Sequence, residues 1–131
     1  EMVRAVFEGV AFNSRWLLKY VELFNGRRAE AVNMVGGGAK SDIWCQIFAD
    51  VFDRPIRQMK DPIEVNVRGA ALLASAALGF IRYEDIGKYV PVAKTYQPNP
   101  ENRKLYDELF KEFVTLYESN KKIFARLNRV A

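Results

Sequence analysis

The stretch "VNMVGGGAKSDIW", residues 32–44, decides how this chain is read. A short apolar run enters three consecutive glycines and leaves through a lysine, a serine and an aspartate. Residues 31–35 are apolar except for Asn33 and are bounded by glycine, a pattern that predicts a parallel strand buried on both faces. Beyond the turn, Ile43, Trp44, Ile47, Phe48, Val51 and Phe52 recur at i, i+1, i+4, i+5, i+8 and i+9, one face of a helix. Three glycines between a strand and a helix cost backbone entropy, so the turn must need positive φ or the close approach of another group. Two readings answer that need. The turn amides and the helix N-terminus form a positive concavity suited to phosphate, or the turn simply requires glycine, with Ser41 or Asp42 capping the helix.

Flanking segments predict alternating layers. Val3, Phe7, Val10, Leu17, Val21 and Phe24 follow a 3.6-residue period over residues 2–24, an amphipathic helix with Gly9 as a point of close packing and Gly26 and Arg27-Arg28 at its end. Asp53-Arg54-Pro55 breaks the helix after the glycines, and 56–59 predicts a second short strand. The alanine-rich "VRGAALLASAALGF" predicts a helix closed by Gly79, able to approach a sheet or another helix closely. "YEDIGKYVP" reads as a turn or a single helical turn and "TYQPNPEN" as a surface loop. Tyr106, Leu109, Phe113, Leu116, Asn120, Ile123 and Leu127 predict a long C-terminal helix. Such alternation implies an α/β fold with parallel strands covered by helices. Two strands do not make a stable sheet, and Glu1 already stands inside a helical pattern, so we expect a piece of a longer protein.

Composition removes several function classes. Among 131 residues, 20 basic and 16 acidic side chains are interleaved, giving a net charge of +4 without a basic block, which argues against nucleic acid as a partner. There is no histidine, so Ser-His-Asp and Cys-His catalysis are excluded within this chain. Cys45 is the sole cysteine, read as an inert core thiol, and no internal disulfide can form. A reducing compartment, the cytoplasm, is expected. No apolar run approaches the ~20 residues that span a bilayer, so no membrane association is expected.

Known nucleotide motifs fit the turn unevenly. A Walker A loop fails, because Ala39 and not glycine precedes Lys40. Gly36, Gly38 and Ser41 meet two of the three positions of a G-x-G-x-x-G fingerprint, with Asp61 at a suitable distance for a ribose-binding acid. A third match is closer. "RAVFEGVAF" at 4–12, "GGGAKSDIWCQIFADVFDRPI" at 36–56 and "RGAALLASAALG" at 68–79 together resemble the C-terminal domain of the FGGY carbohydrate kinases, particularly the xylulose kinase-like branch.

That resemblance implies an actin-like (ribonuclease H-like) ATPase domain, with residues 1–131 forming the C-terminal part of the nucleotide-side domain and a sugar-binding N-terminal domain lying outside the chain. It implies transfer of the γ-phosphoryl group of Mg-ATP to a hydroxyl of xylulose or a related ketose or polyol, with ATP and Mg2+ as cofactors and the sugar bound mainly by the other domain. A homodimer is compatible with it. Carried over residue by residue, Gly36, Gly37, Gly38, Ala39, Lys40, Ser41 and Asp42 form the adenosine-binding segment. Gly37 and Gly38 would let the nucleotide lie against the backbone, while Ala39 and Asp42 would border the adenine and ribose. The catalytic base, an aspartate, is expected outside this chain, so none of Asp50, Asp53 and Asp61 is the catalytic candidate and the fragment alone is expected to be inactive. A non-catalytic nucleotide-binding module and an NAD-dependent oxidoreductase are the rival expectations.

Overall fold

In the computed structural model, which describes residues 1–128, seven regular elements follow the chain. They are α1 (Met2–Asn25), β1 (Val32–Met34), α2 (Asp42–Phe52), β2 (Ile56–Met59), α3 (Val65–Ala77), β3 (Val92–Tyr96) and α4 (Arg103–Leu127). Helix α1 stops where Gly26 turns left-handed at φ 65°, and α2 stops where Asp53 does the same at φ 53°. The α/β class holds, but the sheet is mixed and not parallel throughout. Strand order is β1-β2-β3, with β1 parallel to β2 and β3 antiparallel to it.

The added strand corrects the expectation of a loop at "TYQPNPEN". Thr95 and Tyr96 close β3, where Tyr96 pairs with Ile56, Thr95 with Arg57 and Lys94 with Gln58. Only the following residues form a bend, a short 3-10 turn at Pro100–Asn102 with Asn99 as its cap. Strand β1 is also less enclosed than its apolar sequence predicts. Asn33 is exposed and Val32 and Met34 are half-buried, since β2 is its one strand neighbour among the described residues.

One core joins three helices to the sheet. Phe12 of α1 meets Tyr106, Phe110 and Phe113 of α4, with ring centroids 6.0, 6.3 and 5.7 Å apart. Buried Cys45, Ile47, Ala49, Val51 and Phe52 line the inner face of α2, and Ile56 and Tyr96 bring in the sheet. The Cys45 thiol is fully buried and burial pushes its pKa up, which agrees with an inert core residue. Glu8 serves structure as well. Its carboxylate accepts hydrogen bonds from Tyr106 at 2.9 Å and from Arg4 at 2.9 Å, tying α1 to α4.

Two packing expectations are corrected. Gly9 has no atom within 4 Å of where its Cβ would stand, so it is not a point of close contact. Helix α3 buries none of its residues against the described remainder. Alanine offers little apolar area per residue, so a helix of this composition gains little from partial contact and needs a closely apposed partner to be buried. Arg68 of α3 does reach a carboxylate, pairing with Asp61 at 3.6 Å and donating to the Lys60 carbonyl at 3.0 Å.

Candidate functional site

The three glycines of the turn have three different physical reasons. Gly36 adopts φ 82°, ψ −172°, a region nearly closed to side-chain-bearing residues, and its amide donates to the Pro62 carbonyl at 2.7 Å. Gly38 makes room for tryptophan. A Cβ there would stand 2.6 Å from Cζ3 and 2.9 Å from Cε3 of Trp44. That indole is itself fixed, stacked on Phe7 at 4.5 Å with its Nε1 donating to the Phe7 carbonyl at 3.2 Å. Gly37 alone answers to no neighbour. It is exposed, and nothing lies within 4 Å of its missing Cβ.

Gly37–Lys40 form one 3-10 turn. Ala39 N donates to Gly36 O at 3.2 Å and Ser41 N to Gly38 O at 3.1 Å. Because the first amides of a helical turn have no partner within it, the N–H groups of Gly37 and Gly38 are free, and no other described residue accepts from them. Ala39 is fully buried against the described residues, and its carbonyl accepts from Gln58 at 2.6 Å. Lys40 is exposed and makes no ion pair among the described residues. Ser41 is the cap of α2, its Oγ accepting from Trp44 N at 3.3 Å. Replacing it, Ser41→Ala, is expected to cost about 1 kcal/mol of stability, read as a lower urea midpoint with an unchanged m-value.

Asp42 opens α2 beside the turn. Its carboxylate accepts from Lys94 at 3.0 Å and from Gln58 at 3.4 Å. The Lys94 ammonium, followed by other hydrogen-bond donors around it, holds this carboxyl below the usual aspartate range, and Asp42 in turn pushes the Lys94 pKa up. Sequence reasoning missed Gln58, Lys94 and Tyr96. The short run Val92–Tyr96, with β-branched and aromatic residues at 92, 95 and 96, was the available signal, and the prolines at 91 and 98 hid it.

Asp50, Asp53 and Asp61 each make structural contacts. Asp50 is buried and accepts from Gln46, Asn99 N and Asn102, each at 2.8 Å. Asp53 sits in the left-handed turn after α2 and pairs with Arg28 and Arg103. Asp61, also left-handed at φ 49°, faces Arg68. No group of three or more His, Cys, Asp or Glu among the described residues is arranged to hold a metal ion. No helix among them is long and apolar enough to cross a membrane.

A strand, a glycine turn and a capped helix in this order make an α/β unit shared with solved sugar kinases. The ligand-bound xylulose kinase of Lactobacillus acidophilus superposes with a TM-score of 0.79 at 30% identity, over 97% of this chain and 26% of that one. Xylulose kinase of Staphylococcus epidermidis is 30% identical over 129 residues, again 97% of this chain and 26% of the relative. Autoinducer-2 kinase of Enterobacter sp. is 32% identical over 120 residues, 88% of this chain and 22% of the relative. The profile of the FGGY family of carbohydrate kinases, C-terminal domain, matches residues 1–78. The chain belongs to the FGGY family of carbohydrate kinases, and it spans about a quarter of the length of these relatives. An NAD-dependent oxidoreductase is thereby set aside, and the partial dinucleotide fingerprint reduces to a backbone turn at Gly36 and a tryptophan contact at Gly38.

Proposed function

We propose that this chain is the adenosine-binding portion of an actin-like, ATP-dependent carbohydrate kinase, transferring a phosphoryl group from Mg-ATP to a sugar or polyol hydroxyl. One observation carries the reading: at the carboxyl end of β1, in a member of this family, Gly37 presents an open backbone with unpartnered amides immediately before a capped helix. Anions and polar hydroxyls suit such a surface, because the N–H groups are fixed before the ligand arrives. Phosphoryl transfer depends chiefly on positioning and on stabilising charge, and ATP when bound supplies the phosphoryl group. Within this chain the Gly37 and Gly38 amides bind, Ser41 orders the helix start, and Asp42 borders the ribose side.

The general base and the sugar contacts are assigned to the rest of the polypeptide. Relatives named for xylulose, autoinducer-2 and ribulose share this region, which supports a stretch that serves the donor and leaves the acceptor to other residues. Xylulose or a related ketose or polyol is the acceptor we assign, in the cytoplasm. Titration of the full-length protein with ATP, ADP and NAD tests the donor. Trp44, packed on Gly38, supplies an intrinsic fluorescence reporter. Saturable binding of ATP and ADP in the micromolar to millimolar range is expected, with NAD inert; equal binding of NAD would defeat the assignment.

A further inference from the structure

We propose that Gln58 is a positioning residue for the nucleotide: its carboxamide, held in the sheet, fixes the glycine turn in the form that receives the ligand. The inference rests on the nucleotide-site reading above and adds to it a residue twenty positions beyond Gly38. Gln58 Nε2 donates to the Ala39 carbonyl at 2.6 Å and to the Asp42 carboxylate at 3.4 Å, while Oε1 accepts from the Tyr96 hydroxyl at 3.4 Å. Its orientation is dictated by its partners. A carbonyl and a carboxylate only accept, so both require the NH2 end, and the hydroxyl can donate to the oxygen that is left.

Each anchor comes from a rigid element. Gln58 pairs with Met34 on β1 and with Lys94 on β3, so its backbone is held on both sides. Tyr96 is buried. Lys94 lies 4.6 Å over the Tyr96 ring and donates to Asp42, closing a ring of contacts from β2 through β3 to the first residue of α2. By contrast, the turn contains two glycines and is otherwise ordered by its own short-range bonds, the Gly36–Pro62 contact, the Cys45 thiol donating to the Ala39 carbonyl at 3.7 Å and the packing of Gly38 on Trp44. A glycine backbone has the largest conformational freedom to lose, so whatever orders it before binding lowers the entropy cost of binding. Among the described residues, Gln58 is the one side chain that joins the sheet to the interior of the turn. It does so from behind, through the Ala39 carbonyl, while the open Gly37 side stays clear.

The test uses the full-length protein and follows the initial rate against ATP and against the sugar, with thermal unfolding and ATP titration alongside. Gln58→Leu keeps the size and removes the donors. The expected result is a rise of about tenfold in the KM and Kd for ATP, the yield of the lost bonds to the Ala39 carbonyl and the Asp42 carboxylate, with kcat and the sugar KM within about twofold and the melting temperature within about 3 °C. Gln58→Glu, which turns an acceptor toward the Ala39 carbonyl and Asp42, is expected to weaken ATP further than Gln58→Leu. Unchanged ATP binding in Gln58→Leu, in a protein whose Gly37→Val variant has lost it, overturns this inference and leaves the nucleotide site standing. Parallel losses in ATP binding, sugar binding and melting temperature also overturn it, since they describe a folding role. Retention of ATP binding by Gly37→Val removes the site itself, and the positioning role with it.

Discussion

Gly37→Val in the full-length protein is expected to abolish measurable ATP and ADP binding, a loss of more than about a hundredfold, while leaving the melting temperature nearly unchanged. Both halves follow from the same geometry. No described atom stands within 4 Å of the Gly37 Cβ position and its φ is not left-handed, so an added Cβ meets no described residue and incurs no left-handed strain. The space it takes is the space we assign to the nucleotide. Filling it also covers the free amides, and steric exclusion of a ligand costs far more than one lost contact. Gly38→Ala gives the complementary result. Its single methyl would overlap an indole pinned by Phe7 on one side and by its own hydrogen bond on the other, for about 1–3 kcal/mol of destabilisation. Stability therefore falls at position 38 and binding at position 37. If Gly37→Val binds ATP with the wild-type constant in the fluorescence titration, the groove at this turn is not the donor site.

The contrast between those two glycines also marks how far a sequence carries. The turn was legible as a turn, because glycine runs between an apolar strand and an amphipathic helix have few other causes. Which glycine served the backbone, which the core and which the solvent was not, since that depends on where the Trp44 side chain points. The helix limits were legible for a related reason: Gly26, Ser41 and Asp53 are local signals acting on their own neighbours. Strand β3 was hidden because its pairing with β2 is set across more than thirty residues of intervening chain, and its central Lys94 is an unlikely strand former in isolation. In α4 the three-and-four spacing fitted two adjacent stripes. The sequence reading took Leu109 and Leu116, which are exposed, as part of the inner face, whereas Phe110 packs against the core and Tyr117, itself exposed, meets the Trp16 ring edge-on. Aromatic contacts with Phe12 and Trp16 of α1 decide between them, and no window on α4 alone contains that information.

Asp50→Ala is expected to destabilise the fold by about 3 kcal/mol. The Asp50 carboxylate is 6% exposed and makes no ion pair among the described residues. Instead three amide donors converge on it, Gln46 from the same helix, the backbone of Asn99 and the side chain of Asn102. Removing the acceptor leaves the amide of exposed Asn99 and the side chain of half-buried Asn102 without their common partner, and bonds to a charged acceptor contribute about 1.5–3 kcal/mol each where they are shielded from water. Gln46 suffers less, because it also donates to the Gln97 carbonyl at 2.8 Å. The affected residues form the corner that turns β3 into α4, so the loss loosens the start of α4, where Arg15 and Arg103 pair with Asp107 and Tyr106 enters the core. Asp50→Asn separates acceptor loss from volume loss. One carbonyl oxygen remains to accept, while the new NH2 group faces a donor, and roughly half of the alanine penalty is expected. Urea unfolding of the three proteins gives the measurement. A midpoint for Asp50→Ala equal to the wild type would mean that the corner is held by the chain around it, and that the three converging amides contribute no net stability.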